Sequence, residues 1–524
     1  MHPGELYAHF INTAIITAIV AALVLWRYKV GVLAGMNLGG SLELPIPQAA
    51  RRALSNASIP GETVLAWERK VRWRIGVAVA VVVLVCSLPL AWLQTATLQG
   101  WTPVHLLGQT GQFLIAAIPM AALLAAYSWR RVLLYSVVLW AAIVVLVLAA
   151  SVLQRLAVGH APSFDQFLNG VIFLQLTALN AFAPLVVIVV TALPRVRGVA
   201  PMTFVGLLVF SLAPLGGGQL TRALARTEVG GELVLNGGLA VGFILLALPC
   251  GWLAWQCLAA TARAYENKRL SESELLVNVW WVMFVFAFAA DFVNANGWSW
   301  LPLPLGAASC VAFAFLYRQV LRRVVPTPRP PRRTLLLLRV FADVSRTERL
   351  FDRVAARWRW LGPVTMIAAP DVVARTMDPS DFLEFATGRL QARFVKSAAD
   401  LDSRLQHLDA QPDPDLRFRV NELCCQADTW RAAVVGLMDR ADAVLMDLRE
   451  FSTKRAGCAF ELQQLGQRLD ARRLVLAVDD TTDREFLLAN LGGGFEPRIV
   501  QLSAKRVGDR QLDRVFEEVT AAAY

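Results

Sequence analysis

The stretch PTPRPPRRTLLLLRV, residues 326–340, divides the chain into two kinds of sequence. Its first eight residues hold Pro326, Pro328, Pro330 and Pro331 among Arg329, Arg332 and Arg333. Proline-rich segments favour extended polyproline geometry and act as semi-rigid spacers, so residues 326–333 read as a linker, with arginines expected to sit against anionic headgroups. The next residues, from Leu335 to Phe341, form a short apolar run of the length and character of a buried strand.

Before the linker the chain is apolar and basic. Residues 1–325 contain 21 Lys+Arg and 11 Asp+Glu, and residues 326–524 contain 30 and 29. The excess of +11 therefore belongs almost wholly to the first part. Because the second part has no basic surplus, a nucleic-acid partner is not expected. A bilayer-spanning helix needs about 20 mostly apolar residues. Nine stretches meet this: 10–26, 75–93, 110–128, 132–153, 171–193, 202–220, 236–259, 276–294 and 303–320. The first is followed by Arg27, Tyr28 and Lys29, and no basic residue precedes it, which excludes a cleaved signal peptide.

Loop charge sets the orientation. Loop 27–74 carries eight basic residues and loop 94–109 none; Arg130 and Arg131, Arg195 and Arg197, Arg263, Lys268 and Arg269, and Arg318, Arg322 and Arg323 then mark every second loop. Arg222 and Arg226 are an exception to this alternation. Nine spans with the N-terminus outside place the C-terminal domain in the cytoplasm. Arg outnumbers Lys by 45 to 6, a bias of GC-rich bacterial genomes, so the expected location is a bacterial inner membrane, with the lipid bilayer as partner. Loop 30–70 is read as lying along the membrane surface. Prolines at 89, 119, 184, 214 and 249, and Gln112, Gln175, Asn180, Asn278 and Asp291, fall in or near the spans. They keep open a transporter with a regulatory cytoplasmic domain. Seven cysteines without a CxxC pair, and with no histidine nearer than His407 to those of the second part, exclude an expected metal site and suit a reducing cytosol.

After the linker, strand-like and helix-like segments alternate, which implies a mainly parallel sheet covered on both faces, of flavodoxin type. Strands are read at 335–341, 364–369, 418–424, 443–448, 474–478 and 498–502, with helices between them and a mostly helical segment over 371–410. Ligands of such sheets bind beyond the carboxyl ends of the strands, which directs attention to the loop after Leu448. It reads Arg449-Glu450-Phe451-Ser452-Thr453-Lys454-Arg455-Ala456-Gly457-Cys458-Ala459-Phe460-Glu461-Leu462.

An apolar strand, a polar loop, a small residue with Cys, and a helix opening on Glu-Leu resemble the corresponding part of TIR domains, and are similar to nucleoside 2-deoxyribosyltransferases. The helix from Trp430 to Arg440 with Ala441-Asp442 fits both. The resemblance covers about half of residues 334–524 and none of the apolar part. It implies that Glu461 is the catalytic carboxylate, stabilising an oxocarbenium-like sugar as an N-glycosidic bond breaks. NAD or a nucleotide would then be the substrate, and the domain would self-associate. A place in the first turn of its helix would keep Glu461 ionised. Asp343 is the candidate ribose contact, Arg449 and Arg455 the candidate phosphate ligands, and Trp430 the candidate stacking partner of a base. The same residues have structural readings: turn, solvated loop charge and helix core. The domain is thus either an effector enzyme or a non-catalytic nucleotide- or protein-binding module on a membrane anchor.

Overall fold

The computed structural model describes residues 3–37, 44–46, 59–96, scattered positions from 106 to 153, 199–210, 227, 239–296, 302–339, 344–368, 377, 379–492, 494–503 and 507–524. Its contacts divide the chain into two units. One comprises Met1–Trp26, Ile75–Arg322 and Met377–Leu383; the other comprises Arg27–Arg74, Arg323–Thr376 and Glu384–Tyr524.

The first unit is helical. Its described elements are most of α1 (Pro3–Met36) and α2 (Gly61–Ala96), α3 (Ala200–Phe210), α4 (Leu239–Glu266), α5 (Glu272–Asn296) and α6 (Pro302–Val324). Three described helical stretches are long and apolar enough to cross a membrane: Ile15–Met36, Gly61–Ala96 and Pro304–Val324. Helices also overlap the expected spans at 202–220, 236–259 and 276–294. The expected span 171–193 lies outside the described residues, so nine remains an expectation. Ile15, Ile19, Leu23 and Trp26 of α1 are exposed at helical spacing, as are Val77, Val81, Val85, Leu88 and Trp92 of α2. Apolar stripes of this length are uncommon on water-soluble surfaces and are compatible with insertion into a bilayer.

Polar groups inside this unit are satisfied locally. Ser271 and Glu274 form a reciprocal capping box at the start of α5. The same Glu274 is buried and accepts 2.8 and 3.0 Å bonds from the Arg318 guanidinium. The Trp281 indole donates to Ser309 Oγ at 3.2 Å and stacks on Phe313 at 4.6 Å, which joins α5 to α6.

The second unit is built on seven parallel strands: β1 (Leu335–Arg339), β2 (Val364–Ile367), β3 (Phe394–Val395), β4 (Val420–Cys425), β5 (Ala443–Asp447), β6 (Leu474–Val478) and β7 (Arg498–Gln501), in the order β3-β4-β2-β1-β5-β6-β7. Leaving out β3 and β4, the order is the doubly wound 2-1-3-4-5 of flavodoxin-like sheets. Leu335 and Leu337 join a core with α7 (Val344–Trp358) and α13 (Asp509–Ala523). Leu336 and Leu338 join the opposite core, with α9 (Ala398–Gln406), α10 (Trp430–Met438), α11 (Ala456–Arg468) and α12 (Arg484–Leu491). Alternation of period two thus feeds both faces. Gly362 ends the turn after α7, where a Cβ would run into Arg333 O.

Three sequence expectations change. Where it is described, segment 371–410 is mostly helical, through α8 (Pro379–Ala386), a 3-10 turn and α9, but it also contains β3, which pairs with Cys424 and Cys425. Two residues are too few for periodicity to reveal. The linker arginines are held by protein: Arg329 donates to Leu416 O at 2.9 Å, Arg332 to Ala410 O at 2.7 Å, and Arg333 faces Asp442 at 3.7 Å.

The third change concerns 27–74. Its described ends, residues 27–37 and 59–74, supply two helical stems to the α/β unit. On the first stem Tyr28 meets Phe385 edge-on at 5.4 Å and Met36 O accepts from Ala427 N at 3.1 Å. The second stem, residues 61–74 of α2, buries Val64, Glu68 and Val71, spaced as one helical face. Val64 belongs to the α7–α13 core. Glu68 has no exposed surface; it accepts from Arg357 Nε at 3.0 Å and Nη2 at 2.8 Å, and forms an ion pair with Arg72, whose Nε lies 2.7 Å away. Arg357 also reaches Asp513 at 3.1 Å and lies 3.7 Å over the Phe516 ring. Trp67 Nε1 donates to Pro326 O at 2.9 Å.

Removing one partner of a buried ion pair costs about 3–5 kcal/mol, because the other charge is left buried without compensation. Glu68→Ala is therefore expected to weaken the α7–α13 layer by that order. Hydrogen exchange of the full chain checks this: protection should fall selectively at 350–358 and 512–519 and stay unchanged in α5 and α6.

Candidate functional site

The chain leaves β1 toward β2 and later returns to β5 on the other side of β1. The carboxyl ends of β1 and β5 therefore mark the switch point where doubly wound sheets bind ligands. Here Arg339 ends β1 beside Asp447, which ends β5, and Asp479 directly follows β6. All three are buried. The apolar strands arrive at this edge and stop on charged residues that must find partners nearby.

Asp447 finds Arg449. The guanidinium is bidentate on it, with Nε at 2.8 Å and Nη2 at 2.6 Å, and the Arg449 amide adds a 3.3 Å bond. Both side chains are nearly inaccessible. Such planar fork-to-fork geometry is among the stronger charge-assisted arrangements. It folds the loop back over the strand end, and Glu450 takes a positive φ of 62° to allow it. Asp479 accepts from the Thr481 amide at 3.0 Å and hydroxyl at 2.6 Å, while Thr482 Oγ1 donates to Leu448 O at 3.0 Å. The loops after β5 and β6 are thereby tied together.

Glu461 is the sixth residue of α11, which begins at Ala456, five residues earlier than a helix opening on Glu-Leu would. It lies beyond the first turn, where the helix dipole acts. The side chain is 5% exposed, and no hydrogen-bond partner meets Oε2. Burial pushes its pKa from 4.5 up to about 8. The expectation of an ionised carboxylate is thus reversed: desolvation outweighs the dipole. Glu461 lines a cavity of about 20 Å³ with Leu337, Leu338, Arg339, Phe351, Met366 and Ile367. That is room for about one water molecule and far less than a nucleotide needs.

Arg449, Arg455 and Trp430 do not line this cavity. Arg449 is engaged with Asp447. Arg455 is the half-buried residue immediately before α11. Trp430 stands edge-on to Phe460 at 5.7 Å, with the Arg431 guanidinium 5.6 Å from its ring, so it packs α10 against α11. Cys458 is buried and its thiol donates to Arg339 O at 3.6 Å. Asp343 lies outside the described residues. No family, curated protein or solved structure matches this chain. The resemblance to TIR domains and deoxyribosyltransferases thus rests on the quoted residues alone.

Asp479 and the pairing role of Asp447 were not singled out from sequence. Their signal is an apolar run that stops on aspartate, Ala443-Val-Leu-Met-Asp447 and Leu474-Val-Leu-Ala-Val-Asp479. Among the described residues no cluster of His, Cys, Asp and Glu could hold a metal ion.

The raised pKa fixes a pH dependence. The folded state holds the Glu461 proton up to about pH 8, whereas the unfolded chain releases it near pH 4.5. Stability from this group is complete below about pH 4.5 and falls as pH rises to about 8, by on the order of 5 kcal/mol. Glu461→Gln keeps the shape and cannot ionise. Thermal unfolding of the α/β unit should coincide for both proteins near pH 4.5 and favour the glutamine variant increasingly toward pH 8.

Proposed function

We propose that the chain is a membrane-anchored signalling protein of a bacterial inner membrane. Its apolar helices anchor and sense, its N-terminus lies outside, and its α/β domain acts in the cytoplasm as a binding or interaction module. One observation carries this reading. Helix α2 is a single element of 36 residues; its first part is buried in the α/β core through Val64 and Glu68, and its remainder is apolar enough to span a bilayer. Alternating loop charge supports the orientation.

A binding module is favoured over an N-glycosidase by the state of Glu461. A carboxyl that is neutral at pH 7, facing room for one water, offers neither the charge that stabilises an oxocarbenium ion nor the space for a nucleotide. The enzymatic reading retains one support, the unpartnered Oε2 beside the switch point. It requires an open form in which Glu461 ionises. The comparison is direct: full-length protein in proteoliposomes, incubated with NAD or nucleosides at pH 7, is expected to release no more base than Glu461→Ala. Base release well above that variant would restore the enzymatic reading. A reporter fused after Tyr524 is expected to be active only as a cytoplasmic fusion, and periplasmic activity would refute the orientation.

A further inference from the structure

Each of the three long apolar helices passes from one unit to the other within its length: α1 at Trp26–Arg27, α2 at Arg74–Ile75 and α6 at Arg322–Arg323. Residues 21–32, 69–80 and 317–328, which flank these passages, hold nine Arg and Lys and no Asp or Glu. Three of the nine are engaged inside the protein: Arg72 with Glu68, Arg318 with Glu274, and Arg74, which donates to Val324 O at 3.3 Å. The nearest acids are therefore consumed by buried pairs. Six cations, Arg27, Lys29, Arg69, Lys70, Arg322 and Arg323, remain exposed. Trp26 and Trp73 adjoin them, 59% and 68% exposed.

Large, unburied indoles next to cations are costly in water and favourable at a headgroup layer, where the ring meets hydrocarbon and the N–H meets polar groups. Uncompensated Arg and Lys at that depth attract negative charge. Positive flanks alone would satisfy orientation. Here, in addition, Glu68 and Glu274 are withdrawn into buried pairs with Arg72 and Arg318, beside the second and third passages.

We propose that Arg27, Lys29, Arg69, Lys70, Arg322 and Arg323, with Trp26 and Trp73, bind anionic phospholipid headgroups and select them over zwitterionic ones. This rests on the membrane reading above and adds a lipid class to it. The interaction is charge-driven, so it is screened by salt.

Full-length protein is reconstituted into nanodiscs containing phosphatidylcholine and phosphatidylglycerol, and the lipid retained on the protein is quantified by native mass spectrometry. Enrichment of phosphatidylglycerol over its bulk fraction is expected to be about five-fold or more, the factor for one engaged cation. It should disappear in about 1 M salt, where the screening length is about 3 Å. It should also disappear when all six cations are changed to Gln, and persist when six exposed cations elsewhere (Arg389, Lys454, Arg472, Arg484, Arg510 and Arg514) are changed instead. Incorporation without enrichment, or enrichment indifferent to salt, overturns the lipid inference alone. Failure to incorporate into bilayers of either lipid overturns the membrane reading with it. The salt arm uses the wild-type chain and does not depend on a variant folding.

Discussion

The ion pair between Glu68 and Arg357 is the constraint on which the α/β unit depends. A carboxylate with no exposed surface is tolerated only where the surroundings replace its hydration. Here two guanidiniums do so, one from its own helix and one from α7. Arg357 is in turn shared with Asp513 of α13 and roofed over Phe516. Five residues from three helices therefore fix the stem of α2 against one face of the sheet. The stem is thus part of the domain's fold although Glu68 lies 267 residues before Leu335, the first residue of β1. Such a contact has a high sequence separation and pays back only after a long loop has closed.

The same logic of withdrawn charge recurs at the carboxyl edge of the sheet. Asp447 is matched by Arg449, and Asp479 accepts from the hydroxyls of Thr481 and Thr482. Glu461, whose Oε2 has no hydrogen-bond partner, is pushed by burial to a pKa of about 8. A buried carboxyl without a counter-charge is driven toward its neutral form. That difference separates residues that brace the loops from the one whose protonation state would change with a ligand or an opening of the cavity.

Much of the fold was legible in the sequence because the apolar patterns are strong. Leu335–Leu338, Ala443–Met446 and Leu474–Val478 are unbroken runs, and each is a central strand of the sheet. The edge strand Phe394–Val395 is too short to read. The stem was hidden by composition: Arg69, Lys70, Arg72 and Arg74 made residues 61–74 look like solvated loop, and the decisive face of Val64, Glu68 and Val71 contains a carboxylate that is normally placed outside. The site was less legible. Position near the strand ends directed attention to the loop after β5, but the helix start at Ala456 moved Glu461 out of the first turn, and the partner of Arg449 lay two residues away at the strand end. Sequence spacing does not reveal which arginine is already engaged.

The central claim is that the second apolar helix begins inside the α/β domain. An ideal Cβ placed on Gly61 lies 3.6 Å from Ala521 Cβ, a separation within the range of a disulfide. Gly61→Cys with Ala521→Cys, in a full-length chain otherwise free of cysteine and kept in native membranes, is the most direct measurement. Mild oxidation is predicted to join the two positions in high yield, detected as a linked tryptic peptide, and to leave either single substitution monomeric and unlinked. An absence of that peptide from membranes in which the double variant is folded and oxidised would contradict the account.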